Sequence, residues 1–157
     1  MIIKGMAQLI EKLRQSIHFY PDIEYGFWVA IKEEYRGYSI IGIYALDNKD
    51  TFFHIYSSRV ESFQMLTFCQ RNGYVPLLVH THPYYGNEII TFSRPDYQFM
   101  ESFVTFGLEK FGITKYLFFV TNGEKYQIVE YVEDKPFSEK GELKSDSNER
   151  FFCSRKK

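Results

Sequence analysis

The sequence predicts an α/β fold in which a mixed, largely antiparallel sheet carries helices on its faces. Three observations predict it: an apolar stripe at helical spacing near the N-terminus, a series of short apolar runs separated by turn residues, and two further helical stretches lying between such runs.

Ile3, Met6, Ile10, Leu13 and Ile17 recur at helical intervals, so residues 2–18 are expected to form an amphipathic helix whose stripe is core. Strands are expected at Tyr25–Ile31, Tyr38–Leu46 and Thr51–Tyr56, with turns at Tyr35-Arg36-Gly37 and Asp47-Asn48-Lys49-Asp50, as an antiparallel meander. Ser58 can cap a helix over Arg59–Arg71, which Asn72-Gly73 ends. Tyr74-Val75-Pro76-Leu77-Leu78-Val79 is a continuous apolar run of strand length. A helix follows over Pro95–Phe111, then strands at Tyr116–Val120 and Tyr126–Tyr131, between which Asn122-Gly123 favours a tight hairpin. From Asp134 the chain turns polar and charged, so residues 1–133 are expected to form one domain and 134–157 a flexible tail.

Composition narrows the function. An apolar share of 45% places the chain among globular proteins. A net charge of −1 argues against a nucleic-acid partner. No apolar run has membrane-span length and no signal-peptide pattern opens the chain, so a cytoplasmic location without membrane contact is expected. Two cysteines, Cys69 and Cys153, are too few for a disulfide framework; Cys69 lies in a helical stretch, where a buried structural thiol is the ordinary reading and a nucleophile the alternative.

His80-Thr81-His82-Pro83 closes the apolar run. Strand residues at i and i+2 share a face, so His80 and His82 can converge on one point, and Pro83 suits a strand that stops there. Neutral imidazole is a good zinc ligand, and a catalytic zinc commonly takes three protein ligands. Asp96 is the candidate third. Ser93-Arg94-Pro95-Asp96 also describes a helix N-terminus, with Ser93 as cap and Asp96 in the first turn. The two readings are compatible, because a helix starting there can return its first turn to the strand end.

An upstream acidic residue, then His-x-His-Pro, then Ser-x-x-Asp, resembles the JAB/MPN domain with its JAMM metalloprotease motif, and residues from about Leu9 to about Glu133 follow that family's order of elements. The resemblance implies a JAB/MPN-like, cytidine-deaminase-like fold. It also implies a zinc ion on His80, His82 and Asp96, with Ser93 stabilising the oxyanion. A glutamate before an early strand would handle the proton of the attacking water. Glu24 fits that place, in Tyr20-Pro21-Asp22-Ile23-Glu24-Tyr25-Gly26; Glu33 and Glu34, beside the expected turn, are its rivals. Two departures stand out: ten residues separate His82 from Ser93 where the family more often has seven, and Leu77-Leu78-Val79 precede His80 where it often has a glycine and an aromatic.

Three functional readings follow from the resemblance. The first is a zinc isopeptidase or peptidase, cutting an amide bond at the C-terminus of ubiquitin, a ubiquitin-like protein or a sulfur-carrier-like protein. The second is a catalytically inactive JAB-like binding module. The third is a RadC-like, DNA-associated protein, against which stand Tyr84-Tyr85 in place of that group's Ser-Gly and the absence of a basic balance. The oligomeric state is left open.

Overall fold

Val75, Leu77 and Val79 alternate with Pro76, Leu78 and His80 along one fully buried strand, so both of its faces need cover. A computed structural model supplies that cover with helices on either side; it describes residues 1–19, 25–45, 59–82, 90–135, 137–140 and 152–153. The elements run β1 (Ile3–Lys4), α1 (Met6–Phe19), β2 (Gly26–Glu34), β3 (Gly37–Ala45), α2 (Arg59–Asn72) and β4 (Val75–Thr81). They continue with α3 (Arg94–Phe111), β5 (Lys115–Thr121), β6 (Lys125–Val132), β7 (Ser138–Lys140) and β8 (Phe152–Cys153).

The strands form one sheet in the order β1-β3-β2-β4-β5-β6-β7, with β8 also on β6. The β2–β3, β2–β4, β5–β6 and β6–β7 pairs are antiparallel, while β1–β3, β4–β5 and β6–β8 are parallel. The fold is thus mixed α/β, with the longer pairings mostly antiparallel. Leu9, Ile10 and Leu13 of α1 pack with Val29, Leu77, Val79 and Phe119 on one face. Met65 and Cys69 of α2, with Met100, Phe103 and Val104 of α3, pack with Trp28, Leu78, Phe118 and Val120 on the other. No helix among the described residues is long and apolar enough to cross a membrane.

Most expected elements lie within a few residues of their observed bounds; the N-terminus differs in kind. Residues 3–4 are a strand rather than the first turn of a helix, because Ile3 pairs with Tyr38 and Gly5, at φ 91°, takes a left-handed conformation that helical backbone cannot pass through. Ile3 stays in the core that the stripe predicted. The stretch read as a flexible tail contributes β7 and β8, both laid along β6. At the β5–β6 hairpin the two central residues are Gly123 and Glu124, one place beyond the expected Asn-Gly. Gly123 takes φ 94°, and Asn122 Oδ1 accepts the amides of Glu124 and Lys125. The expected strand Thr51–Tyr56, the cap Ser58 and residues 83–89 of the stretch between His82 and Ser93 lie outside the described residues.

Candidate metal centre

The alternation of β4 decides where its histidines point. Val79 faces α1 and Leu78 faces α2 and α3, so His80, two residues beyond Leu78, faces the helical pair. The amide of His82 donates to Thr121 O at 2.9 Å, which carries the β4–β5 pairing past Thr81 and holds the second histidine beside the first. Both imidazoles therefore stand at the end of the two central parallel strands, under the start of α3.

Helix α3 begins there because its sequence is built to begin. Ser93 is extended (φ −77°, ψ 169°), its Oγ accepts the Asp96 amide at 3.2 Å, and Asp96 Oδ2 accepts the Ser93 amide at 2.7 Å, with Pro95 in the first turn. This reciprocal cap fixes the Asp96 carboxylate, which is 1% exposed, towards the histidines. His80 Nε2 lies 3.5 Å from Asp96 Oδ1, His82 Nε2 lies 3.3 Å from Oδ2, and the two Nε2 atoms are 3.2 Å apart. Ligands on a tetrahedral zinc with bonds of about 2.0–2.1 Å stand about 3.3 Å from one another. The histidine pair has that spacing, each imidazole stands near one oxygen of the carboxylate, and the group can hold a metal.

The electrostatics agree. Burial lowers the pKa of His80 against the pull of Asp96, favouring the neutral imidazole that a metal requires. Burial works against the charge of Asp96, but hydrogen bonds from both histidines and from the Ser93 amide outweigh it and hold the carboxyl well below its usual range. The Nε2 atoms of the two imidazoles are 3.2 Å apart. A cation between them would use both lone pairs.

Neither any model of a known protein family nor any curated protein sequence matches the chain. What can be said of the site therefore comes from its own residues. The structure brings together His80, His82 and Asp96, with Ser93 as their cap. Glu24 lies outside the described residues, but its neighbour Tyr25 is bonded to Thr81 by two hydrogen bonds, and Gly26 is the register partner of His80. The rivals are placed elsewhere. Glu33 is seven residues along β2 from Gly26, about 23 Å at strand rise, and it binds Lys115 at 2.6 Å. Glu34 binds Lys4 and Ser39. Burial pushes the Cys69 thiol up to about 12, and Cys69 packs in the core against Met65, so the nucleophile reading has no support.

Three supporting residues went unread in the sequence. Thr81 ties β4 to the start of β2; Phe92 sets its ring 5.6 Å from that of His80; and Gln127, 3% exposed on β6, accepts the Phe92 amide at 2.8 Å. Gln127 alone carried a signal, being an amide beside the apolar residues Tyr126, Ile128 and Val129, with which it is buried on β6, where a polar group needs a partner.

Proposed function

We propose that this chain is a metal-dependent amide hydrolase of JAB/MPN type, a zinc isopeptidase or peptidase acting at the C-terminus of ubiquitin, a ubiquitin-like protein or a sulfur-carrier-like protein. One observation carries the metal centre: two imidazoles, one on β4 and one on the residue that follows it, meet a carboxylate from the capped start of α3, with the two Nε2 atoms 3.2 Å apart and each within 3.5 Å of one carboxylate oxygen. The order of elements around that point supports the family, with β2 bringing its start beside His80 and α3 following the histidine strand.

A zinc ion held by His80, His82 and Asp96 would supply Lewis acidity and an activated water. The rest of the chemistry belongs to the chain. Ser93 Oγ accepts the Asp96 amide, which leaves its O–H free to donate to an oxygen that gains charge during amide attack. Glu24, one residue ahead of the pinned Tyr25, would take a proton from the attacking water and return it to the leaving amine. His82, 19% exposed where His80 and Asp96 are 1%, marks the side from which a substrate reaches the centre.

Elemental analysis of protein purified without chelator tests the metal: one zinc per chain is expected, and a chain that neither carries nor takes up zinc ends the proposal. A panel of ubiquitin-like proteins fused through their C-termini to a reporter tests the reaction. Wild-type protein should release the reporter and Glu24→Gln should not, while keeping its zinc. Zinc retained by a wild type that cleaves nothing in the panel would favour the binding-module reading.

A further inference from the structure

Asp96 and Ser93 reach the histidines only if α3 starts at the right height above the sheet, and the cap within α3 cannot set that height. Consecutive amides before the helix are tied in opposite directions. The Ser93 N–H goes forward to Asp96 Oδ2, inside the helix, whereas the Phe92 N–H goes across to Gln127 Oε1 on β6 at 2.8 Å. That second bond is buried at both ends, with Phe92 6% and Gln127 3% exposed. Gln127 is not placed at random along β6. It pairs with Val120, which pairs with His80, so one row across the sheet runs from His80 through Val120 to Gln127. Tyr126 and Ile128 face α1 and Val129 faces the other side, so Gln127 looks to the same face as His80. The strand that carries the first histidine and the residue that holds the approach to α3 are thus referenced to the same line of backbone pairing.

We propose that Gln127 is a positioning residue for the metal centre: by accepting the Phe92 amide it sets where Ser93 and Asp96 stand relative to His80 and His82. The inference rests on the metal-centre reading above and adds a residue to it. Phe92 transmits the constraint twice, through the peptide bond to Ser93 and through its ring, which lies between His80 at 5.6 Å and Tyr97 at 5.8 Å. A buried amide donor without its acceptor would draw the loop end away to find another, and α3 would move with it.

The test uses the full chain loaded with cobalt(II), whose visible absorption reports the ligand geometry, together with a competition measurement of metal affinity. Gln127→Met keeps the length and volume but removes the acceptor. It should shift the cobalt band and weaken metal binding about tenfold, in the range found when supporting residues of metal sites are lost. Gln127→Glu keeps an acceptor oxygen and should restore both band and affinity. A folded Gln127→Met protein with wild-type band and affinity would overturn the proposal, as would a Glu variant no better than Met. Should Gln127→Met fail to fold, Gln127→Asn decides, since it keeps the amide but draws it back by one methylene: an altered band supports the proposal and an unchanged band overturns it. A wild type that binds no cobalt overturns the metal-centre reading itself, and this inference with it.

Discussion

Thr81, the residue between the two histidines, is bonded twice to Tyr25. Its Oγ1 accepts the Tyr25 amide at 2.7 Å, and its own amide donates to Tyr25 O at 2.9 Å. Since Thr81 points to the opposite face from His80, one strand end presents a candidate metal donor on one side and a fastening for β2 on the other.

Replacing Thr81 by Val keeps the branched shape and the backbone bond but leaves the Tyr25 amide without its acceptor. A loss of about 1–3 kcal/mol is expected, seen as a lower midpoint in chemical unfolding, with zinc stoichiometry unchanged. Thr81→Ser, which keeps the hydroxyl, should lose less. Equal stability of Thr81→Val and wild type would refute the fastening.

Asp96 serves the cap and is the proposed third metal ligand, and Asp96→Asn separates the two roles. Asparagine can still accept the Ser93 amide through its oxygen but brings no charge to the imidazole pair. Zinc at a hundred times its dissociation constant should stabilise the wild type by about 2.7 kcal/mol. In thermal melts Asp96→Asn should lose that increment and should also melt below the zinc-free wild type, because the hydrogen bonds that favour the charged carboxylate are weakened. A full zinc-dependent rise in the variant would remove Asp96 from the ligand set.

On the alkaline side the core sets the pH response. Burial raises the Cys69 thiol from its ordinary 9.0 to about 12 and raises the Tyr116 hydroxyl above its ordinary 10.0. Above about pH 9 the unfolded chain releases protons that the folded chain keeps, so the unfolded state binds fewer protons and stability falls as pH rises. The slope approaches about 1.4 kcal/mol per pH unit for each such group. Urea unfolding at pH 8 and pH 10.5 should show the decline, and Cys69→Ala should show a shallower one. Identical slopes for the two proteins would exclude the thiol as a source.

Tyr116 is fully buried, and its hydroxyl finds no hydrogen-bond partner among the described residues. It stands where a Cβ on Gly107 of α3 would be, so the glycine makes room for it. Tyr116→Phe should therefore stabilise the protein by about 1 kcal/mol, or about 2–4 °C in melting temperature. Gly107→Ala, which in an open helix would gain about 1 kcal/mol, should destabilise instead. A gain from Gly107→Ala in the Tyr116 background would contradict the packing.

Locally encoded features were legible. The i, i+2 convergence of His80 and His82 at the end of an apolar strand, the Ser93–Asp96 cap and the Asn72-Gly73 stop all depend on backbone geometry within a few residues, and each stands in the structure, with His82 one residue past the strand. Ile3 was legible as core but not as strand, because its partner Tyr38 is far along the chain and only Gly5 marks the break. The strands β7 and β8 were hidden for a similar reason: polar, charged sequence carries no periodic signal, and β6 supplies the backbone partners that make strands of them.

The sequence by itself determined which atoms could serve a metal, two imidazoles and a carboxylate, and on which face of its own element each would project, because side-chain direction follows from strand and helix periods. Only the tertiary structure decided that those faces meet. It set Glu33 and Glu34 at the far end of β2, and it enlisted Thr81 and Gln127 to hold the surrounding chain in place. Convergence to within 3.5 Å depends on how β4, β5, β6 and α3 pack together, and such long-range packing is set by the whole core rather than by any local pattern.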